Sequence, residues 1–234
     1  VALKGIATYA VIVLLCAIIA AGALVMITFI NEFIRQVDQN VGQEGGDGLN
    51  GISDGLSKYY LISSLEGYIE YENGDFKFAY QNPFHLWTGE KVSVTGWRWY
   101  RTFWRFDISS IPDEYEVVEA TFKAYYFGEE SSGNPEGVAE LAHIQDIGSS
   151  LDNTDWDKSV IENYGTLLPR TTVWGWYSKD VTNAIDLKND FVSFRLKSTE
   201  EDNDSDEWAW DINIRTSTYP AKLIIVVSSL IAKP

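Results

Sequence analysis

Trp97-Arg-Trp-Tyr-Arg-Thr-Phe-Trp-Arg-Phe106 is the stretch on which the fold reading turns. Side chains alternate across a strand, so Trp97, Trp99, Arg101, Phe103 and Arg105 share one face, and Arg98, Tyr100, Thr102, Trp104 and Phe106 share the other. Both faces carry rings, so at least one is core. Large aromatic residues in a period-two run belong to a β-sheet. Working outward, Gly67-Tyr-Ile-Glu-Tyr-Glu, Asn73-Gly74 and Asp75-Phe-Lys-Phe-Ala-Tyr read as a hairpin closed by a type I′ turn. Further strands are expected at about 91–106, 116–127, 138–145, 171–181, 191–197, 208–215 and 221–227. Turn-rich stretches separate them, and Pro83, Pro112, Pro135 and Pro220 fall at strand ends, where proline is tolerated. Many strands with no helical pattern between them predict an antiparallel sandwich.

The chain has 234 residues, with 18 Lys+Arg against 34 Asp+Glu and a net charge of −16. That balance argues against a nucleic-acid partner, because phosphate needs a basic surface. Hydrophobic residues make up 45 %, enough for a substantial core. The one cysteine, Cys16, excludes an internal disulfide and a cysteine metal cluster, and it reads as a small buried hydrophobe. His85 and His143 are the only histidines and read as ordinary packed or surface residues.

The composition average hides an asymmetry at the other end. Residues 5–30 contain no charge, and about 20 apolar residues cross a bilayer as a helix. Phe29, Phe33, Ile34 and Val37 then recur at helical spacing among Glu32, Arg35 and Asp38. One helix from about residue 3 to 40 would run roughly 55 Å. Val1-Ala2-Leu3-Lys4-Gly5-Ile6-Ala7-Thr8-Tyr9-Ala10-Val11-Ile12-Val13 resembles the mature N-terminus of archaeal type IV pilins and archaellins. The start at Val1 rather than Met accords with removal of a leader. Bacterial type IV pilins usually carry Glu at the fifth mature position; Gly5 stands here, which favours the archaeal branch. The resemblance implies a membrane-held precursor, cleavage by a prepilin-type peptidase, a pilus assembly machinery, and helices that bundle into a filament core. Candidate core positions are Ile6, Ala10, Val13, Ala17, Ala20, Ala21, Leu24 and Ile27, the small residues among them allowing close approach. Lys4 precedes the run, so the precursor is expected to keep its N-terminus cytoplasmic.

Residues 39–57 hold six glycines with Asn and Asp and read as a flexible boundary. Beyond it, Arg101-Thr-Phe-Trp-Arg-Phe-Asp-Ile-Ser-Ser-Ile-Pro112 resembles the signature of the DNRLRE family. Those are jelly-roll sandwiches related to disaggregatase-type modules, found on extracellular and often polysaccharide-binding proteins. Val117-Val118-Glu119-Ala120-Thr121-Phe122-Lys123-Ala124-Tyr125, Trp176-Tyr-Ser-Lys-Asp180-Val181-Thr182 and Pro220-Ala-Lys-Leu223-Ile-Ile-Val-Val keep the family's order. The usual Ser-Glu pair before the last strand is absent, and Arg215-Thr216-Ser217 stands in its place.

Trp97 and Trp99, and the pair Trp174 and Trp176, are candidates for stacking on sugar rings, although core and intersubunit packing is the favoured reading of both pairs. Glu200-Glu201-Asp202-Asn203-Asp204-Ser205-Asp206-Glu207 offers Asp202, Asp204 and Asp206 as weak Ca²⁺ candidates, but the run fails the EF-hand pattern and also reads as a solvated loop. Asn203-Asp204-Ser205 is a glycosylation sequon, placing a candidate glycan on Asn203. No nucleophile elbow, phosphate loop, H-E-x-x-H or C-x-x-C occurs, so no enzyme activity, cofactor or resident metal is expected.

The expected fold class is α+β by segment: a long N-terminal hydrophobic α-helix over 1–40, a Gly-rich linker over 41–58, and an all-β antiparallel jelly-roll-like sandwich over 59–234. The expected function is a structural subunit, a pilin, of an extracellular adhesion filament built from copies of itself, with surface polysaccharide as a further partner. The alternative is a single-span, membrane-anchored carbohydrate-binding module.

Overall fold

The computed structural model describes residues 55–72, 75–83, 85–93, 96–129, 137–169, 174–199, 201, 209–212 and 219–229. The strands are β1 (Leu56–Ile62), β2 (Leu65–Glu72), β3 (Asp75–Gln81), β4 (Leu86–Ser93), β5 (Gly96–Asp107), β6 (Tyr115–Glu129), β7 (Ala139–Ile144), β8 (Val160–Leu168), β9 (Gly175–Asp180), β10 (Phe191–Ser198), β11 (Ala209–Ile212) and β12 (Lys222–Ser229).

The expectation of an α+β chain is overturned. The described residues are nearly all antiparallel β-sheet, and their helical turns are the short 3-10 segments Asn153–Asp157 and Thr182–Ala184. The reason lies in the pattern: along the strands buried residues recur at period two, as in Lys222–Ser229, and no described stretch carries an apolar stripe at helical spacing. No helix among the described residues is long and apolar enough to cross a membrane. The expected helix over 1–40, with Ile6, Ala10, Val13, Ala17, Ala20, Ala21, Leu24 and Ile27, lies outside the described residues. The jelly-roll expectation also changes. All twelve strands belong to one hydrogen-bonded sheet rather than two.

That sheet folds over on itself. β6 pairs with β12 through Lys222↔Lys123 and Leu223↔Phe122, with β9 through Phe122↔Lys179, and with β11 at its far end. β5 pairs with β2 along one edge, and with β4 and then β10 along the other. The β4–β11–β6 connection is the seam that joins the two halves. Between them lies the main core, where Trp104 and Phe106 of β5 and Phe194 of β10 meet Phe122 of β6. Trp104 and Phe122 sit edge to face with centroids 5.1 Å apart, and Phe122 and Phe194 lie at 5.3 Å. Such geometry adds to area burial.

A second cluster occupies the opposite face of β5, with Leu65, Ile69, Phe103, Ala142, Ile144, Ile147, Leu151 and Trp156. So β5 is buried on both sides: Phe103 and Trp104 are both fully inaccessible. The loop bearing Asn153–Asp157 forms the lid of this cluster, and the loop is fixed by a capping box between Asp152 and Asp155. Gly67 shows how close the packing is. A Cβ there would lie 2.3 Å from the Tyr80 carbonyl oxygen and 2.8 Å from Leu151 Cδ2.

The strand expected over 91–106 is in fact the β4–β5 hairpin, with Ser93 opposite Gly96. Gly96 takes φ +131, a left-handed value that favours glycine and ends the run. β8 is a strand that the sequence pattern did not single out. The chain divides at Asn50/Gly51, and both apolar clusters draw their members from the second unit, which therefore has its own core.

Glu66 is the buried carboxylate at the β1–β2 corner. It accepts a hydrogen bond from Ser63 Oγ at 2.8 Å. Burial pushes its pKa up to about 7, against the lowering effect of Ser63 and the Ala221 backbone. The folded state therefore holds a proton that the unfolded chain releases near its ordinary pKa of 4.5. Stability contributed by the neutral acid is complete below about pH 4.5 and falls as pH rises to about 7. Urea unfolding from pH 5 to 8 is expected to show Glu66→Gln gaining about 3 kcal/mol relative to the parent.

Candidate functional site

The landmark stretch 101–112 is spent on building the fold. The Arg101 guanidinium forks onto Glu201, with Nε to Oε1 at 2.7 Å and Nη2 to Oε2 at 2.9 Å. It also donates to the Trp156 carbonyl and lies 3.9 Å over that residue's ring. Arg105 forks onto Asp146 at 2.7 and 3.0 Å, and Ser193 Oγ donates to the same carboxylate at 2.9 Å. These donors hold Asp146 below the usual carboxylate range. Lys197 reaches Glu201 at 2.9 Å. Arg195 lies between them, its pKa pulled down to about 10 by burial and by the neighbouring Arg101. Asp107 closes a turn by accepting from the Ser109 amide and hydroxyl, and Ile108 and Ile111 enter the main core.

The segment Asp180-Val181-Thr182 behaves alike. Asp180 Oδ1 accepts from the Thr182 amide and hydroxyl, while Thr182 Oγ1 accepts from the Ala120 amide at 2.9 Å. A charge-assisted, bidentate pair is strong only while both members are present.

A different set of side chains forms the candidate site. The inward face of β2, β3, β4 and β5 continues past the main core as a ladder of rings. His85 stacks on Trp87 at 5.9 Å, Trp87 meets Tyr100 at 6.4 Å, and Tyr100 meets Tyr68 at 5.9 Å. Tyr68 stacks on Tyr80 at 4.6 Å, and Tyr80 meets Phe78 at 5.9 Å. Six rings thus run across four strands. The register makes this row: Tyr68 opposes Thr102 and Tyr80, while Glu70 opposes Tyr100 and Phe78. Gly89, opposite Tyr100, adds no side chain to the row.

Beside the rings lie Glu70 and Glu72, both buried, with Arg98 between them at 3.1 and 3.6 Å. Burial and the Glu70 charge raise the Tyr68 and Tyr80 phenols, and they push Tyr100 up to about 12. All three hydroxyls therefore stay protonated and can donate at physiological pH. Phe78 is 57 % exposed and Tyr80 36 %, whereas Tyr100 is buried. The ladder is open at β3 and deep at β5. Stacked rings with hydroxyl, carboxylate and guanidinium groups at the edge suit a ligand with an apolar face and a hydroxyl rim, as a pyranose has.

Of the residues singled out by sequence, Trp99 packs on the second cluster against Tyr71 at 5.5 Å, and Trp97 is half-buried. Trp174 and Trp176 lie on the outside of the sheet, 68 % and 37 % exposed, and are not part of the ladder. Asp202, Asn203, Asp204 and Asp206 lie outside the described residues. Among the described residues no group of three or more acidic, His or Cys side chains is placed to hold a metal. The ladder residues were missed because their signal is spread over four strands and a register. The pattern that points to them is the aromatic alternation in Phe78-Ala-Tyr80.

No protein-family model matches the chain, and no curated protein matches it.

Arg101→Ala leaves Glu201 buried without its fork. Equilibrium unfolding is expected to show a loss of about 3–5 kcal/mol, with a smaller loss for Arg101→Met paired with Glu201→Met.

Proposed function

We propose that this chain is a structural subunit of an extracellular filament, a pilin, whose β-domain forms the outer surface and carries a saccharide-binding row of rings. The observation that carries the reading is the pairing of an uncharged run over residues 5–30 with a domain that has a core of its own. An uncharged run of that length needs an apolar environment. Copies of itself supply one after release from the membrane. Each Leu or Ile buried there contributes roughly 1.5–3 kcal/mol before ordering costs. Contacts that repeat head to tail without closing generate a helical polymer. The likeness of residues 1–13 to archaeal pilins and of residues 101–112 to the DNRLRE family supports the same reading, and with it a cell-surface location and a membrane-held precursor.

A second reading is favoured by the ring ladder: a membrane-anchored module that displays a carbohydrate-binding domain. The two differ in what surrounds the apolar run. Sheared, detergent-free cell-surface material is expected to show fibres containing this chain by negative-stain microscopy. Recovery only from detergent-solubilised membrane overturns the filament. Ala21→Asp is expected to abolish fibres while leaving the far-ultraviolet spectrum of the β-domain unchanged, because an unpaired charge is costly in an apolar bundle.

The ring ladder makes a separate prediction. On a panel of immobilised polysaccharides, the parent is expected to be retained by at least one neutral or mixed glycan. Tyr80→Ala and Phe78→Ala are each expected to lower that retention about tenfold, since one base- or sugar-sized stacking contact is worth about 1–3 kcal/mol. Unchanged retention in both variants removes the ladder from the binding surface.

A further inference from the structure

At the Asp107 end of β5 the chain makes two turns that do more than connect strands. Residues 108–117, leading into β6, and residues 181–190, between β9 and β10, enclose an open cavity of about 410 Å³. Its floor is the end of the main core. Ile185 is a buried member of that core, and Tyr115 and Leu187 pack against it half-buried. Its rim is Asp113, Asn183, Asp186 and Lys188, all exposed. Pockets for small ligands hold about 300–1,000 Å³ and pair an apolar floor with a few polar groups.

The turns are braced almost without the rim side chains. The Ile108 amide donates to the Asp190 carbonyl at 2.8 Å, and the Val181 amide to the Ala120 carbonyl at 2.8 Å. The Tyr115 amide donates to the Pro112 carbonyl at 3.1 Å, and the Ala184 amide to the Val181 carbonyl at 2.8 Å. Asp107 and Asp180 spend their carboxylates on neighbouring amides and hydroxyls. Thr182 also lines the cavity, and its hydroxyl is committed to Asp180 and the Ala120 amide. Asp186 gives Oδ1 to the Lys188 amide at 3.1 Å. By contrast, the side chains of Asp113, Asn183 and Lys188 make no hydrogen bond or ion pair among the described residues. The fold therefore fixes the walls and leaves the polar ends of the rim uncommitted. Walls set in advance keep the ordering cost of binding low.

The mixture of signs on the rim selects the ligand. Two carboxylates and one ammonium share it, so an anion meets Asp113 and Asp186 and a cation meets Lys188. A neutral ligand rich in hydroxyls meets no like charge. Its O–H groups donate to the carboxylates, and its oxygens accept from the Lys188 ammonium and the Asn183 amide. Its C–H face covers the Tyr115 ring and Leu187. We propose that this cavity binds a neutral polyhydroxylated ligand, either a free polyol or the terminal residue of a glycan, through Asp113, Asn183, Asp186 and Lys188. The inference rests on neither the filament reading nor the ring ladder. Tyr100 of the ladder lies seven residues before the Asp107 end of β5, about 23 Å along the strand, so both sites can be filled at once.

The test uses residues 51–234, which contain both apolar clusters. Amide NMR spectra are recorded with methyl hexopyranosides, a neutral disaccharide, inositol, glucuronate and glucosamine. A neutral probe at millimolar concentration is expected to shift the amides of 113–117 and 182–188. A glycoside that binds more tightly than inositol identifies the end of a glycan, and the reverse identifies a free polyol; either supports the site. Asp113→Ala and Lys188→Ala remove exposed side chains that brace nothing. Each is expected to keep the parent's melting temperature and to raise Kd about tenfold, as the loss of a hydrogen bond to a charged group does. The absence of shifts there with every neutral probe overturns the proposal. So does tighter binding of glucuronate or glucosamine than of any neutral probe, or an unchanged Kd in both variants. Shifts confined to Phe78, Tyr80 and their neighbours overturn the cavity and leave the ladder intact.

Discussion

A strand buried on both faces constrains everything around it. β5 places Trp104 and Phe106 in one apolar cluster and Phe103 in the other. Thr102, Arg101 and Arg105 along its middle find their partners inside the protein, because little water reaches them, whereas the buried Trp104 indole nitrogen has no hydrogen-bond partner. Thr102 answers with a 2.8 Å hydrogen bond from Thr88 and a 2.7 Å bond of its own to the Trp87 carbonyl. Arg101 and Arg105 answer with carboxylates brought from 100 and 41 residues away. The loop over the second cluster is consequently held by ionic forks and a stacked ring as much as by apolar contact.

The sequence made the β character legible and left its wiring obscure. Period-two alternation in Trp97–Phe106 separates the two faces of β5; it requires at least one of them to be core, and both are. The hairpin around Asn73-Gly74 was visible from its turn residues. Its register was not, since the pairing shifts by one residue between Glu70 and Tyr71. Without that shift Ala79 would oppose Tyr68, and the ring ladder would be broken. The β4–β5 turn was hidden because Val-Thr between Ser93 and Gly96 has strand-like propensity. The single continuous sheet was equally out of reach. It depends on β11, a four-residue strand whose pairing with both β4 and β6 is a long-range event. The residues of the stretches 101–112 and 176–182 serve the architecture: Arg101, Arg105, Asp107 and Asp180 each hold backbone or partner side chains in place.

Two surfaces divide the remaining chemistry. The ladder combines rings with Glu70, Glu72 and Arg98 and opens at β3, whereas the outward face of β1, β12, β6 and β9 mixes branched aliphatics with separated lysines and glutamates. They lie on different strands apart from the seam, so a ligand on one leaves the other accessible. A net charge of −16 keeps copies apart at long range.

Gly67 ties these regions together. The space a Cβ would take is shared by the Tyr80 carbonyl and Leu151 of the lid loop, with no room for a methyl group. Together with the Tyr71–Trp156 stack and the packing of Ala79 on the second cluster, this close approach seats the lid against the strands that bear Tyr68, Phe78 and Tyr80. The absence of one carbon atom makes the geometry of the open end of the ladder answerable to a loop on the far side of the sheet.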